Sequence, residues 1–530
     1  MISLSVLSPQ SSVLSPVVEL PERMNVATLL IDRHVREGRG DRTAIHYGDD
    51  EITYRQVQER SNRAGNLLRG LDVGIEHRVM LLMLDCPELV YSFLGAIKIG
   101  AVPIPTNTLM KPPDYEYMLN DSRAVVALVS EQLLPQIQAI PRERLRYLRE
   151  IVVVGSAAPG THSFADLSDA ASAELEAEEM SKDDAAFWLY SSGSTGFPKG
   201  CVHLHHDIVV CSELYAKPVL GIGPDDRCFS VAKLFFAYGL GNALYFPFYV
   251  GASSILWPGP PTAENVYRII ERFRPTLFFS VPTNYGMLLA HEGDYDLSSV
   301  RYGVSAGEAL PPALFERFKK RFGVEILDGI GSTEVCHIFI SNRGGQVRPG
   351  SSGSIVPGYE ARLLDDDGAE VPRGEIGNLL IKGDSTCAYY WNKHDKTKQT
   401  ILGEWILTGD KYYQDEDGYY WYAGRSDDML KVGGIWVSPI EIENTLVDHP
   451  AVLEVGVVAR EDQDQLVKPL AYVVLKPGHE PLDALAEELK AFVRERIAEY
   501  KRPRWVEFVE ELPKTATGKT QRFKLRQLNR

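Results

Sequence analysis

Cysteine is scarce in this 530-residue chain and is never arranged for a shared task. The six residues, Cys86, Cys201, Cys211, Cys228, Cys336 and Cys387, are scattered and form no C-x-x-C pair. That argues against a zinc site or a disulfide framework and fits a reducing compartment. No basic segment followed by an apolar core opens the sequence, so no secretory signal is read, and the Ser/Pro-rich residues 1–22 are expected to form a loose leader. Apolar runs long enough to span a bilayer are missing too, so a cytoplasmic protein with no membrane partner is expected. Internal repeats and low-complexity tracts are absent. Positive charge is in deficit: the formal net charge of −16 repels nucleic acid and disfavours general polyanion binding. An anionic ligand must therefore be held by a local site.

What is present is a globular composition, 44% hydrophobic and 24% charged, over a length that calls for several structural units. Short β-branched runs alternate with helical patterns: Arg78–Met83, Ala124–Val129, Ile151–Val154 and Leu277–Ser280 read as strands, Pro87–Ile99 as a helix. Such alternation implies βαβ units and parallel sheets. The Gly-rich segment Ser191–Gly200 reads as leading into a helical stretch. Past residue 360 the texture turns β-rich, with Asp365–Gly368 and Asp415–Gly418 as turns between short strands. After Arg425 a self-contained α+β unit is read: helices over Ser438–Val447 and Leu482–Ile497, strands over Val455–Val458, Ala471–Leu475 and Trp505–Val509.

The strongest motif is Tyr190-Ser-Ser-Gly-Ser-Thr-Gly-Phe-Pro-Lys-Gly200. Glycines let backbone N–H groups approach phosphate oxygens, the hydroxyls of Ser191, Ser192, Ser194 and Thr195 donate hydrogen bonds, and Lys199 adds charge. It is not a P-loop, which needs Gly-Lys-Ser/Thr where Pro198 precedes the lysine here. A flexible linker is the plainer reading, but linkers rarely end in Pro-Lys-Gly beside an apolar strand.

This segment resembles the phosphate loop of the adenylate-forming superfamily, which contains acyl- and aryl-CoA ligases, luciferases and peptide-synthetase adenylation domains. Further segments in the same order resemble the family's other motifs. Gly329-Ile-Gly-Ser-Thr-Glu334 is similar to its second signature, where the resemblance gives Thr333 the phosphate and Glu334 the Mg²⁺ ion; a helix-capping box is the plainer reading of those residues. Ser305-Ala-Gly-Glu-Ala309 resembles the segment against adenine, so Gly307, Glu308 and Ala309 would line the base, with Asp328 and Gly329 at its edge. Trp405-Ile-Leu-Thr-Gly-Asp410 and Tyr422-Ala-Gly-Arg425 resemble the ribose subsite, through Asp410 and Arg425; a lone Thr-Gly-Asp is usually a turn. In Gly424–Gly434 the resemblance makes Asp427 the hinge and Gly433 and Gly434 the passage for the pantetheine arm. Pro513-Lys-Thr-Ala-Thr-Gly-Lys519 resembles the C-terminal motif, with Lys519 bridging carboxylate and α-phosphate. Joining two anions needs such a charge.

The fold this resemblance implies is α/β: a large N-terminal domain (23–426) of two βαβ sheets plus a small β-barrel, and a smaller mobile α+β domain (427–530). The implied substrates are ATP, an acid and coenzyme A, with Mg²⁺. For the acid, Leu234-Phe-Phe-Ala-Tyr-Gly-Leu240 and the residues around Glu334 resemble the benzoate–CoA ligase group, whose aryl pocket falls at Phe236, Ala237, Tyr238, Gly331, His337 and Ile338. Aromatic walls suit a flat ring, whereas a long acyl chain needs a tunnel. Benzoate, 2-aminobenzoate and hydroxybenzoates stay open as substrates, as do a carrier-protein thiol in place of CoA and association into homodimers.

Overall fold

The computed structural model describes residues 18–191, 197–425, 428–432, 435–462, 467–497, 499–514 and 520–528. Two sheets with helices between their strands form the large part, one of them wholly parallel and the other mixed. One has five parallel strands in the order Val102–Pro105, Arg78–Leu82, Val126–Ser130, Glu150–Val154, His162–Ser163. Its inner strand Val126–Ser130 is buried at every position, which is why it reads as an unbroken apolar run rather than an alternating one. The crossover helix Pro87–Lys98 starts on a proline, whose missing N–H is harmless in a first turn.

The other sheet has nine strands. Its parallel centre runs Glu325–Gly331, Tyr302–Ser305, Leu277–Ser280, Arg227–Ser230, Ser253–Ile255, Thr43–Tyr47. Antiparallel strands close both flanks: Ile338–Ser341 and Ser354–Ile355 on one side, Asp50–Thr53 on the other. In such sheets, ligands bind beyond the carboxyl ends of the strands. Ser280, Ser305 and Gly331 lie at those ends, and Asp328 pairs with Ser305, the last residue of its strand.

A five-stranded antiparallel sheet follows, with Asp365–Gly368 and Asp415–Gly418 as its turns. It stands where the small barrel was expected; isolated bridges Gly353–Tyr420 and Leu364–Glu370 lie on its edges, and no strand pairing joins one edge to the other among the described residues. Beyond it, Val452–Glu461, Val467–Leu475 and Trp505–Phe508 form a three-stranded sheet against the helices Pro439–Val447 and Asp483–Arg494, with a separate apolar core. Ser438 caps the first of these helices by accepting from the Glu441 amide at 3.3 Å.

One expected element differs, and one plainer alternative falls away. The Gly-rich segment leads into a strand, Lys199–Leu204, antiparallel to Ala185–Ser191, and the helix begins only at His205. Thr408-Gly-Asp410 is not a turn but lies inside the long strand Trp405–Gln414, where Gly409 takes φ +77°. No helix among the described residues is long and apolar enough to cross a membrane.

Candidate active site

The antiparallel pair Ala185–Ser191 and Lys199–Leu204 holds the ends of the phosphate segment together, with Ser191 opposite Lys199. Ser192, Gly193, Ser194 and Thr195 lie outside the described residues, as do Asp427, Gly433, Gly434 and Lys519. The Ser191 hydroxyl donates to Glu334 Oε1 at 2.9 Å, and the Tyr390 hydroxyl donates to the same oxygen at 2.8 Å. Burial, then the neighbouring Glu334 charge, pushes the Tyr390 phenol far above its ordinary range, so it stays a donor. Lys199 Nζ lies 4.5 Å from the centre of the Tyr390 ring, a cation–π contact that parks the ammonium beside Glu334's anchor. Thr333 and Glu334 sit in a single 3₁₀ turn, and Ser332 makes no capping bond, so the capping-box reading of this segment fails.

His337 follows two residues after that turn, just before the strand Ile338–Ser341. Its ring is buried, and Nε2 lies 3.2 Å from the Tyr238 carbonyl and 3.1 Å from Asn242 Oδ1. Both partners accept, so Nε2 carries the proton and Nδ1 is bare. Burial lowers the His337 pKa to about 3, against a weaker upward pull from the Tyr238 carbonyl, and the ring is neutral at physiological pH. Nδ1 has no hydrogen-bond partner, and neither has Asn242 Nδ2. The rings of Phe246, Tyr215 and Tyr238 surround His337 at 4.5, 5.5 and 5.6 Å between centroids.

Tyr238 is fixed in turn by donating to the carbonyls of Val304 at 3.0 Å and Ser280 at 3.2 Å, at the ends of two central strands. Ala237 opens the same four-residue helix, and Phe236 packs on Phe235 at 4.4 Å. Ile338, buried, pairs with Gly331 across the antiparallel strands. The missing side chain at Gly331 admits backbone rather than ligand: a Cβ there would lie 2.5 Å from the His337 oxygen. Gly241 does the same for the imidazole, where a Cβ would fall 2.4 Å from His337 Cδ2.

On the far side of the turn, Asp328 is buried, and burial raises its pKa to about 8 despite nearby donors on Ser305, Leu310 and Gly329. Its Oδ1 has no hydrogen bond. The segment past Ser305 turns at Gly307, φ +90°, and Glu308 accepts from the Thr283 hydroxyl at 2.9 Å, with Ala309 following before the helix Pro312–Phe322. Asp410 and Arg425 are partners across two adjacent strands, and Arg425 Nη1 donates to Asp410 Oδ1 at 3.0 Å.

Residue types suggested most of these positions, but several participants escaped the sequence reading. Tyr390, Asn242, Phe246 and Tyr215 carry no motif; a buried tyrosine or asparagine is ordinary core until its partner is known.

Comparison with known proteins follows this geometry closely. Residues 31–391 match the AMP-binding enzymes and residues 441–519 the C-terminal domain of those enzymes. The chain is 51% identical over 518 residues to a benzoate–CoA ligase of Thauera aromatica, covering 96% of this chain and 97% of that one. Among solved structures, the anthranilate CoA ligase AuaEII in complex with anthranoyl-AMP superposes with a TM-score of 0.92 at 50% identity, over 96% of this chain and 98% of that one. A benzoate CoA ligase from Burkholderia xenovorans gives 0.87 at 47% identity, over 95% and 100%.

Proposed function

The chain belongs to the AMP-binding enzyme family, and from that premise we propose that it joins an aromatic carboxylic acid, benzoate or a close analogue, to coenzyme A at the expense of ATP. The carboxylate attacks the α-phosphorus and expels pyrophosphate. The CoA thiol then attacks the acyl-adenylate carbonyl, forming the thioester and releasing AMP. One observation carries the reading. A single turn, Thr333–Val335, sets Glu334 against Ser191 at the start of the phosphate segment and, three residues on, leads to His337 in a nest of aromatic rings. Acid and nucleotide are thereby brought to the two faces of one short peptide.

In this reading Ser191–Thr195 and Lys199 hold the outer phosphates, and Asp410 accepts from the ribose hydroxyls with Arg425 beside it. Gly307, Glu308, Ala309, Asp328 and Gly329 take the base. Among the described residues no group of three or more ligating side chains is found. Glu334 would help hold Mg²⁺ beside the phosphate oxygens, where the ion would offset phosphate charge. Phe236, Ala237, Tyr238, Gly331, His337 and Ile338 surround the acid. The chain divides at 426/427, so that residues 427–530 carry Lys519 to the carboxylate during adenylation and then present Gly433 and Gly434 to pantetheine by turning about Asp427.

A second reading of the substrate is favoured by one atom. His337 Nδ1 is a buried acceptor without a donor, and an amino or hydroxyl group on the ring would supply one. The test is to incubate the chain with ATP, Mg²⁺ and each acid without CoA and to look for bound aryl-adenylate by mass spectrometry. Benzoyl- or aminobenzoyl-adenylate that discharges when CoA is added supports the reading. Absence of any aryl-adenylate overturns it.

A further inference from the structure

His203 stands on the strand Lys199–Leu204, and Asp207 on the helix that follows; both are buried. His203 Nδ1 lies 2.7 Å from Asp207 Oδ2, and Nε2 lies 2.7 Å from the backbone oxygen of Thr333. The Leu204 amide donates to the same Asp207 oxygen at 3.1 Å. His206 Nε2 is 3.1 Å from Asp207 Oδ1, near enough for an ion pair but not aligned for a hydrogen bond, since Oδ1 has no hydrogen-bond partner.

A carbonyl only accepts, so Nε2 must donate. Nδ1 faces the Asp207 carboxylate. The imidazole is thus gripped at both nitrogens, while Phe187 stacks on it at 5.0 Å with 15° between the planes. From the other side, the Cys387 amide donates to the Glu334 carbonyl at 2.7 Å. The peptide bearing Thr333 and Glu334 is therefore pinned at both of its carbonyls.

We propose that His203, oriented by Asp207, is a positioning residue for adenylation: it fixes the Thr333 carbonyl and so the direction in which Thr333 and Glu334 face the phosphates. The inference rests on the phosphate-binding role proposed for those two residues. The Thr333 carbonyl also accepts from the Cys336 amide at 3.2 Å inside the turn, whereas His203 Nε2 ties it to a strand 130 positions away, so loss of the imidazole donor loosens the turn from that strand without emptying the core.

The experiment compares His203→Gln, His203→Asn, Asp207→Asn and Glu334→Gln in the full chain. Each is assayed for acid-dependent ATP–pyrophosphate exchange, for thioester formation from supplied benzoyl-adenylate and CoA, and for melting temperature. Gln places its amide nitrogen near the position of Nε2, and Asn near that of Nδ1. His203→Asn should lose about tenfold or more in exchange kcat, as expected for one buried hydrogen bond, with thioester formation preserved. His203→Gln should recover most of that loss, and Asp207→Asn should fall between them. Equal rates in the Gln and Asn variants, or parallel loss of both half-reactions with melting temperature, would overturn the proposal by leaving only a core role. Should His203→Asn fail to fold, an unchanged exchange rate in Asp207→Asn overturns it alone. Unchanged exchange in Glu334→Gln would instead sink the reading of the turn itself.

Discussion

Replacing Tyr390 by phenylalanine removes one hydroxyl and keeps the ring, which separates two roles that the structure places on one side chain. The hydroxyl is one of two donors to Glu334 Oε1, at 2.8 Å, with Ser191 at 2.9 Å. A hydrogen bond to a charged group contributes about 1.5–3 kcal/mol. Ser191 remains, so the carboxylate loosens rather than leaves. If Glu334 steadies the phosphates and their metal in the adenylation transition state, that loss converts to a rate about 10- to 100-fold slower. The ring surface over which Lys199 sits at 4.5 Å is retained, so the ATP KM should move much less than kcat. Pyrophosphate exchange at saturating acid reads both quantities, and Tyr390→Ala, which deletes the ring as well, should raise KM further. An exchange kcat within about twofold of the parent in Tyr390→Phe, at unchanged melting temperature, would refute the argument, because a hydroxyl bonded to an essential carboxylate should cost more than that.

Ala237→Phe should cut kcat/KM for benzoate by filling the space beside Tyr238, by about 10- to 200-fold if the added volume acts as misplaced methylenes do, while ATP binding alone stays unchanged. Asp328 is held protonated in the fold, with its pKa at about 8, whereas the unfolded chain releases that proton near the ordinary value of 3.8. The folded state binds the extra proton between those limits, so the group's contribution to stability is fullest below pH 4 and is lost as pH rises through 8. Asp328→Asn should therefore flatten the fall in melting temperature between pH 6 and pH 9; an identical slope would contradict the assignment. Lys519→Ala should slow adenylation by about 10²–10³-fold while leaving thioester formation from supplied benzoyl-adenylate near normal, and equal loss of both steps would argue against division of labour between the two faces of the small domain.

The segments that could be read from the sequence are those whose chemistry is local. Leu277–Ser280 is a strand with the bounds its apolar run suggested, and the expected helix Ser438–Val447 is the helix Pro439–Val447 with Ser438 as its cap. Gly307 and Gly409 stand at positive φ, as glycine-bearing motifs often require. What escaped the reading depends on tertiary partners. The strand Lys199–Leu204 is short, with only Cys201, Val202 and Leu204 apolar, and periodicity cannot distinguish such a run from a helix start. Tyr390 reaches Glu334 across 56 positions, and His337 reaches Asn242 across 95. Gly331 looked like room for a ring, yet the space belongs to the His337 backbone, which only the pairing of two strands reveals.

The central claim, that this chain activates an aromatic acid through its adenylate and passes it to CoA, is tested most directly by ATP-dependent pyrophosphate release over benzoate, 2-aminobenzoate, hydroxybenzoates and octanoate, with AMP and thioester quantified in the presence and absence of CoA. The account predicts that an aryl acid gives the highest kcat/KM, that AMP and thioester accumulate together, and that multiple turnover requires CoA. A higher kcat/KM for octanoate than for every benzoate, or sustained turnover without CoA, would contradict it.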